Sequence, residues 1–595
     1  MSVKSNHSEC PFSIKSQKCV MIGGAINAVI VLFAYCAYLY FQTTSTEVVY
    51  TKLGGVRGTI GWSRNGNEFS QFLGIPFAQP PIGPKLRFSP PEPAFPWEGV
   101  RDASYLRPLC LQVESFATGF ILGQEDCLYL NIFVPKIGKT SQKTVMVYIH
   151  GGLFHVGGSN FAGPKYFMDE DVILITLNYR LGVFGFLSTG DEVISGNMGL
   201  KDQNMALKWI KENIHAFGGD PNKIVIFGES AGGASVHHHI LSPASQGLFY
   251  KAIHQSGSSI NYWAVYRNVW EQAQRLAEKF SCPTSSSQEI ASCLRKLDSN
   301  TIVKAHRDLF NFYRPQISTF VPTIEAANSK SPFITEEPRK LLEAGKFQRI
   351  PILTGVNSNE GQLISKTIIV NQTKLNEAND NWNVWAPRTL HYPESLTDVS
   401  KKLYNFYFGG VPKINDAKFH KNYTNIFGDR LFIVRGAVAG RLESKFTPTY
   451  MYYYDYSSSF NTGELLANAQ GDFLPHWLSL GYYVAKQWVL QFFNLMPKRT
   501  DNACHSDEIA MLFNRDFLHS ISPSHPDYQM SADLVKLWTS FANDEPILRF
   551  RGVEWKPNFE TKEIRYLRIN ENPSVIEEPF ETRRIFWESL GLPNL

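Results

Sequence analysis

Ser230 lies in the pentapeptide Gly228-Glu229-Ser230-Ala231-Gly232, a Gly-x-Ser-x-Gly frame. The run before it, Lys223–Phe227 ("KIVIF"), reads as a strand, and the segment after it reads as a helix. A serine at so sharp a strand-to-helix turn has its hydroxyl held up at the top of a sheet, and both glycines are needed because the backbone is crowded. Serine is a weak nucleophile at its free pKa, so this chemistry also requires a base and donors for an oxyanion. His150-Gly151-Gly152-Leu153-Phe154 follows a second apolar run, Thr144–Ile149 ("TVMVYI"), which is where such donors are expected. The amides of Gly152, Leu153 and Ala231 are the candidate oxyanion hole, each donor being worth about 3–4 kcal/mol in the transition state. His237, His238 and His239 invite a metal reading. Consecutive helical side chains splay by about 100°, so the three cannot converge on one ion, and no metal site is read from them. Cys504, beside His505, is read as packing, as are Trp382 and Trp385.

The elements that must hold these residues follow from the same pattern. Val172–Leu177 ("VILITL") is a further short β-branched run, and Pro351–Gly355 and Tyr450–Tyr454 look like later strands. Met205–Ile214 carries Ala206, Ile210 and Ile214 on one helical stripe. Short apolar strands that stop at Gly-rich turns and alternate with helices indicate an α/β fold with a mainly parallel sheet. Glu47–Ile60 reads as its first strands, and helical stretches near 260–350 and 370–440 are expected as insertions roofing the site. No 20–50-residue repeat and no Gly/Ser linker divides the chain, so residues 45–595 read as one large domain.

Of 595 residues, 58 are basic and 54 acidic, a net +4 that gives no surface-wide field for nucleic acid. With 43 Gly and 33 Pro the composition is that of a globular chain and excludes collagen and disorder. Val20–Phe41 runs for 22 positions without a charge, about 33 Å of helix at 1.5 Å per residue. Lys4, Lys15 and Lys18 precede it against a single acid, Glu9. That arrangement predicts a type II signal anchor at 20–41, a cytosolic tail at 1–19 and a lumenal or extracellular domain; the alternative is secretion after signal cleavage. In an oxidising compartment Cys110 with Cys127 and Cys282 with Cys293 would close short loops, leaving Cys504 free. Asn371 and Asn422 fit the N-glycosylation pattern, as does Asn6 in the tail.

Longer stretches carry a resemblance. "EDCLYLNIFVP" (Glu125–Pro135), "HGGLF", "LNYRLGVFGFL" (Leu177–Leu187), Gly196–Gly233 and "HQSGS" (His254–Ser258) resemble the type-B carboxylesterase/cholinesterase family of α/β hydrolases. The resemblance implies an α/β-hydrolase fold, with a large, mixed, mostly parallel sheet flanked by helices and roofed by helical insertions. It implies a serine carboxylesterase in which Ser230 is the nucleophile, His505 the base and Glu360 the orienting acid. It also implies Glu229 at the base of the pocket, Ser256 hydrogen-bonding within the catalytic region, and the two disulfides named above. The expected substrate is a small-molecule ester, no cofactor or metal is required, and homo-oligomerisation is left open. Three departures stand out. Leu153 replaces a frequent third glycine, an isobutyl group expected to disfavour bulky acyl esters. The Cys110–Cys127 loop has no Trp and offers only Phe116 and Phe120, which argues against choline esters. Arg584 stands where cholinesterase-like members place a cysteine, so a third disulfide is absent. The competing expectation is a catalytically silent adhesion or receptor ectodomain of the same family.

Overall fold

The β-branched runs form the middle of one large sheet. The computed structural model describes residues 45–114, 119–136, 142–309, 320–469, 481–482, 485–486, 501–515 and 520–592. The apolar run at 20–41, Asn6 and Phe116 lie outside them. Among the described residues no helix is long and apolar enough to cross a membrane.

Twelve strands follow one another across the sheet: β1 (Ser45–Thr51), β2 (Gly54–Trp62), β3 (Glu68–Pro76), β4 (Tyr129–Pro135), β5 (Lys143–Ile149), β6 (Val172–Leu177), β7 (Gly219–Glu229), β8 (Lys251–Gln255), β9 (Ile352–Asn357), β10 (Thr449–Tyr454), β11 (Arg565–Ile569) and β12 (Ser574–Glu577). Their spatial order is β1-β2-β3-β4-β6-β5-β7-β8-β9-β10-β11-β12, and a short strand at Val100–Asp102 pairs with β2. The seven strands from β6 to β11 are parallel, with antiparallel strands at both margins. Period-two geometry sorts β5 between the two faces. Val145, Val147 and Ile149 join one hydrophobic cluster, while Met146 and Tyr148 join the other. Both faces are covered, which is why β6 is buried along its whole length and reads as an unbroken apolar run.

Helix α1 (Met198–Asn213) precedes β7 and starts seven residues before the expected stripe. Its Asp202 is wholly buried and receives both arms of Arg180, at 2.8 and 2.7 Å, pinning the loop after β6 to the helix. Helix α2 (Ala231–Leu241) leaves β7 directly through Ser230. The expected roof between β9 and β10 is helical: α3 (Gln362–Ile369), α4 (Gln372–Asp380), α5 (Trp382–Leu390), α6 (Thr397–Phe408), α7 (His420–Gly428) and α8 (Val434–Glu443). A π turn, Asp429–Ile433, joins the last two. Trp382 and Trp385 pack within this roof, ring centres 5.5 Å apart, with the Trp382 indole N–H on the Ser400 carbonyl. They are packing residues, as the sequence suggested.

Candidate active site

Parallel strands end on one side of the sheet, and the candidate residues come from the ends of β5, β7, β8 and β9 and, for His505, from the connection between β10 and β11. Ser230 closes β7 with φ 59° and ψ −123°, a strained conformation for a residue with a side chain. Its amide donates to the Gln255 carbonyl at the end of β8. The turn closes only around glycine: a Cβ on Gly232 would sit 2.0 Å from the Ile149 carbonyl oxygen.

Glu360 follows β9, is fully buried and accepts three hydrogen bonds. They come from the Asn357 amide at 2.7 Å, Ser256 Oγ at 2.5 Å and His505 Nδ1 at 2.6 Å. Glu360 is thus brought to the histidine, and Ser256 to Glu360. His505 is positioned by a tight turn in which Ser506 has φ 67° and the Cys504 amide bonds Asp507. Phe432, carried by the π turn, stacks on the imidazole with ring centres 4.0 Å apart.

The other face of the imidazole differs from expectation. Its Nε2 lies 3.1 Å from Glu229 Oε1, and among the described residues no hydrogen bond joins it to Ser230 Oγ. Ser506 Oγ donates to the same Glu229 oxygen at 2.5 Å. The imidazole is therefore held between two carboxylates. Burial opposes its charge, but Glu229 and Glu360 outweigh burial and raise its pKa to about 9. Burial in turn raises Glu229, against the pull of His505.

Two residues missed by sequence reasoning complete the cluster. Glu508 is fully buried and accepts from Asn357 Nδ2 at 2.5 Å and Gln255 Nε2 at 3.2 Å. Burial, then Glu229 and Glu360, push its pKa up to about 8. Ser506 is the second. Both stand within three residues of His505, so the motif held them, but only their neighbours reveal what they touch.

Gly152 (φ 105°) and Leu153 (φ 57°) turn sharply after β5. Among the described residues none accepts from their amides. The Ala231 amide, at the first position of α2, has no intrahelical acceptor either. A Cβ on Gly151 would lie 3.1 Å from Ser230 Cβ, which places this turn against the serine. A cavity of about 280 Å³ opens here, lined by Gly151, Gly152, Glu229, Ser506, Tyr148 and Gln112 among others. The Leu153 side chain is buried.

The three consecutive histidines separate as the helix geometry requires. His238 bonds the Ala264 carbonyl, and His239 bonds Ser245 and Gln203. His237 Nε2 and His254 Nε2 both approach the fully buried Glu443, at 3.0 and 3.1 Å. The Ser259 amide donates to His237 Nδ1, so the proton of that ring sits on Nε2 and faces Glu443. A ring in that tautomer pairs with a carboxylate and is not poised to bind a cation. Cys110–Cys127 and Cys282–Cys293 are bonded, and Cys504 is buried and free. Asn371 caps α4 by accepting from the Lys374 amide, and the Asn422 amide nitrogen donates to the Tyr407 carbonyl. Arg584 reaches Glu578 and Glu588 at 2.7 and 2.6 Å where the third disulfide is missing.

Residues 45–587 match the family model described as the carboxylesterase family. The chain is 35% identical to a carboxylic ester hydrolase of Bombus ignitus over 90% of this chain and 92% of that one. It is 36% identical to juvenile hormone esterase of Tribolium castaneum, over 89% and 88% of the two. Its fold is similar to the crystal structure of juvenile hormone esterase from Manduca sexta with OTFP covalently attached. The TM-score is 0.75 at 24% identity, covering 91% of this chain and 99% of that one.

Proposed function

The chain belongs to the carboxylesterase family and is a carboxylic ester hydrolase, and we propose that it works through an acyl-enzyme on Ser230. His505 takes the serine proton as Oγ attacks the ester carbonyl, and Glu360 fixes the imidazole tautomer through Nδ1. The amides of Gly152, Leu153 and Ala231 receive the oxyanion. His505 then protonates the departing alcohol, and water repeats the cycle on the acyl-enzyme. The observation that carries this reading is the strained Ser230 turn set beside unengaged backbone amides, with the Glu360–His505 pair next to it.

For the first step His505 must be neutral and face Ser230 Oγ, so its contact with Glu229 has to give way when an ester enters. Catalytic hydrogen bonds often tighten only in the complex. Glu508, holding its proton near neutrality, keeps a third negative charge away from the pair.

The test is labelling of the purified chain by a fluorescent organophosphonate, followed by a p-nitrophenyl ester series beside a choline ester. Ser230→Ala should lose all labelling and at least about 10⁴ of the esterase rate. Labelling that survives in this variant would remove Ser230 from the reaction. Low choline-ester turnover is expected because the Cys110–Cys127 loop contains no Trp to stack on a quaternary ammonium.

We also place the domain outside the cytosol, tethered through residues 20–41. Support comes from the length of that apolar run and from the two disulfides. The full chain should stay in the membrane pellet at alkaline pH; release into the supernatant would favour the secreted form.

A further inference from the structure

A second cavity, about 330 Å³, opens beside the short helix Pro338–Glu343. Its wall includes Arg435, on α8, whose residue is 3% exposed. Among the described residues the Arg435 Nε and Nη2 atoms have no hydrogen-bond partner, and no carboxylate pairs with the group. A buried guanidinium without an acceptor is costly, because nothing replaces the water it has lost. Tyr262, on the same wall, has a buried hydroxyl that is likewise unpartnered.

The charges around the cavity divide unevenly. Arg267 and Glu337 satisfy one another through two bonds, at 2.8 and 2.7 Å, and Arg339 is taken by Glu343 at 2.8 Å. Arg435 is left over, with Lys340 on the exposed rim. Ile260, Val265 and Pro338 supply an apolar stretch of the same wall.

We propose that this cavity is a binding site for an organic monocarboxylate, its carboxylate on Arg435 and its apolar body along Ile260, Val265 and Pro338. A guanidinium fork matches the two oxygens of a carboxylate. The space exceeds what a bare ion fills, and the apolar wall suits a hydrocarbon body. Glu337 and Glu343 on the same wall disfavour a dianion such as phosphate. Burial, with Arg430 and Arg339 adding repulsion and Glu588 offsetting part of it, holds the Arg435 pKa down at about 9. The wall is tied to the catalytic region, since Asn261 Nδ2 and Trp263 Nε1 both donate to the Leu431 carbonyl, one residue before Phe432. The site is nevertheless separate from Ser230 and does not depend on the esterase mechanism.

The experiment is calorimetric titration of the full chain with hexanoate, hexan-1-ol and inorganic phosphate, in parallel with Arg435→Met. Hexanoate should bind the wild-type chain at least tenfold more tightly than the variant, and hexan-1-ol and phosphate should not bind at this site. Without ligand the variant should melt no lower than wild type, and hexanoate should raise only the wild-type midpoint. Arg435→Gln reads the same loss should the methionine variant not fold. Equal hexanoate affinity in either folded variant overturns the proposal. So does hexan-1-ol binding as well as hexanoate, which would mark a merely apolar cavity, or phosphate binding in its place.

Discussion

At the scale of single residues, the unusual feature is an imidazole clasped by two carboxylates. His505 faces Glu360 at Nδ1 and Glu229 at Nε2, and both favour the imidazolium. Since the reaction needs the neutral ring, kcat/KM should rise with pH through neutrality toward about 9. Glu229→Gln removes one stabilising charge, so the imidazolium loses its proton more readily. The acid limb of the profile should move to lower pH by about one unit; a profile that stays in place would mean that Glu229 does not hold the base. Glu508 behaves oppositely. Its carboxyl already keeps a proton near pH 7, so Glu508→Gln should retain kcat/KM within about threefold there. A loss beyond tenfold would mean that its charge is used. Ser230 was legible from its Gly-x-Ser-x-Gly frame, which has a mechanical reason, whereas Glu360, His505, Glu229 and Ser256 were reached only through the family resemblance of the stretches that hold them. The sequence concealed the pairing of His505 with Glu229, which depends on a side-chain angle across 276 positions of chain. Glu508 was concealed too, since an acid in a helical stretch reads as solvated until its burial is seen.

At the scale of elements, the strands were the most legible part. Runs such as Val172–Leu177 and Thr144–Ile149 are uninterrupted because both faces of the sheet are covered, and Gly-rich turns mark their ends. The roof was legible only as helical. Nothing in "DRLFI" distinguishes a π turn from continued helix, because the extra residue per turn is settled by tertiary partners. Those partners are visible here. Asp429 is fully buried, lies 2.9 Å from Arg583 Nη1 and accepts from the Tyr407 hydroxyl. Burial raises its pKa to about 6, with Arg583 holding it back. Arg583→Met leaves that carboxylate buried and unpaired, which should cost about 3–5 kcal/mol by denaturant titration. Because the turn carries Phe432 against His505, kcat should fall in the same variant. Full stability in Arg583→Met would show the turn to be held by its apolar neighbours alone.

At the scale of the whole molecule, the chain is fastened in two chemically different ways. Two covalent loops close the first half, at Cys110–Cys127 and Cys282–Cys293, while the helix Glu581–Ser589 is held without covalent bonds, by Arg583 on Asp429 and by the fully buried Trp587, whose indole N–H donates to the Tyr407 hydroxyl. Arg584 on that helix gathers Glu578, Glu588 and, at 3.6 Å, Glu581 around one guanidinium. Mild reduction should therefore loosen the loops and leave hydrogen exchange across residues 581–589 unchanged; faster exchange there on reduction would show the two ends to be coupled. The consequence reaches into biosynthesis. A crosslink can be made only once an oxidant arrives and the correct thiols have met, and it can be made wrongly. A guanidinium closing on Asp429 and an indole settling into the core need no catalyst and no shuffling. This helix can seat itself at once, and reopen and reseat until it fits.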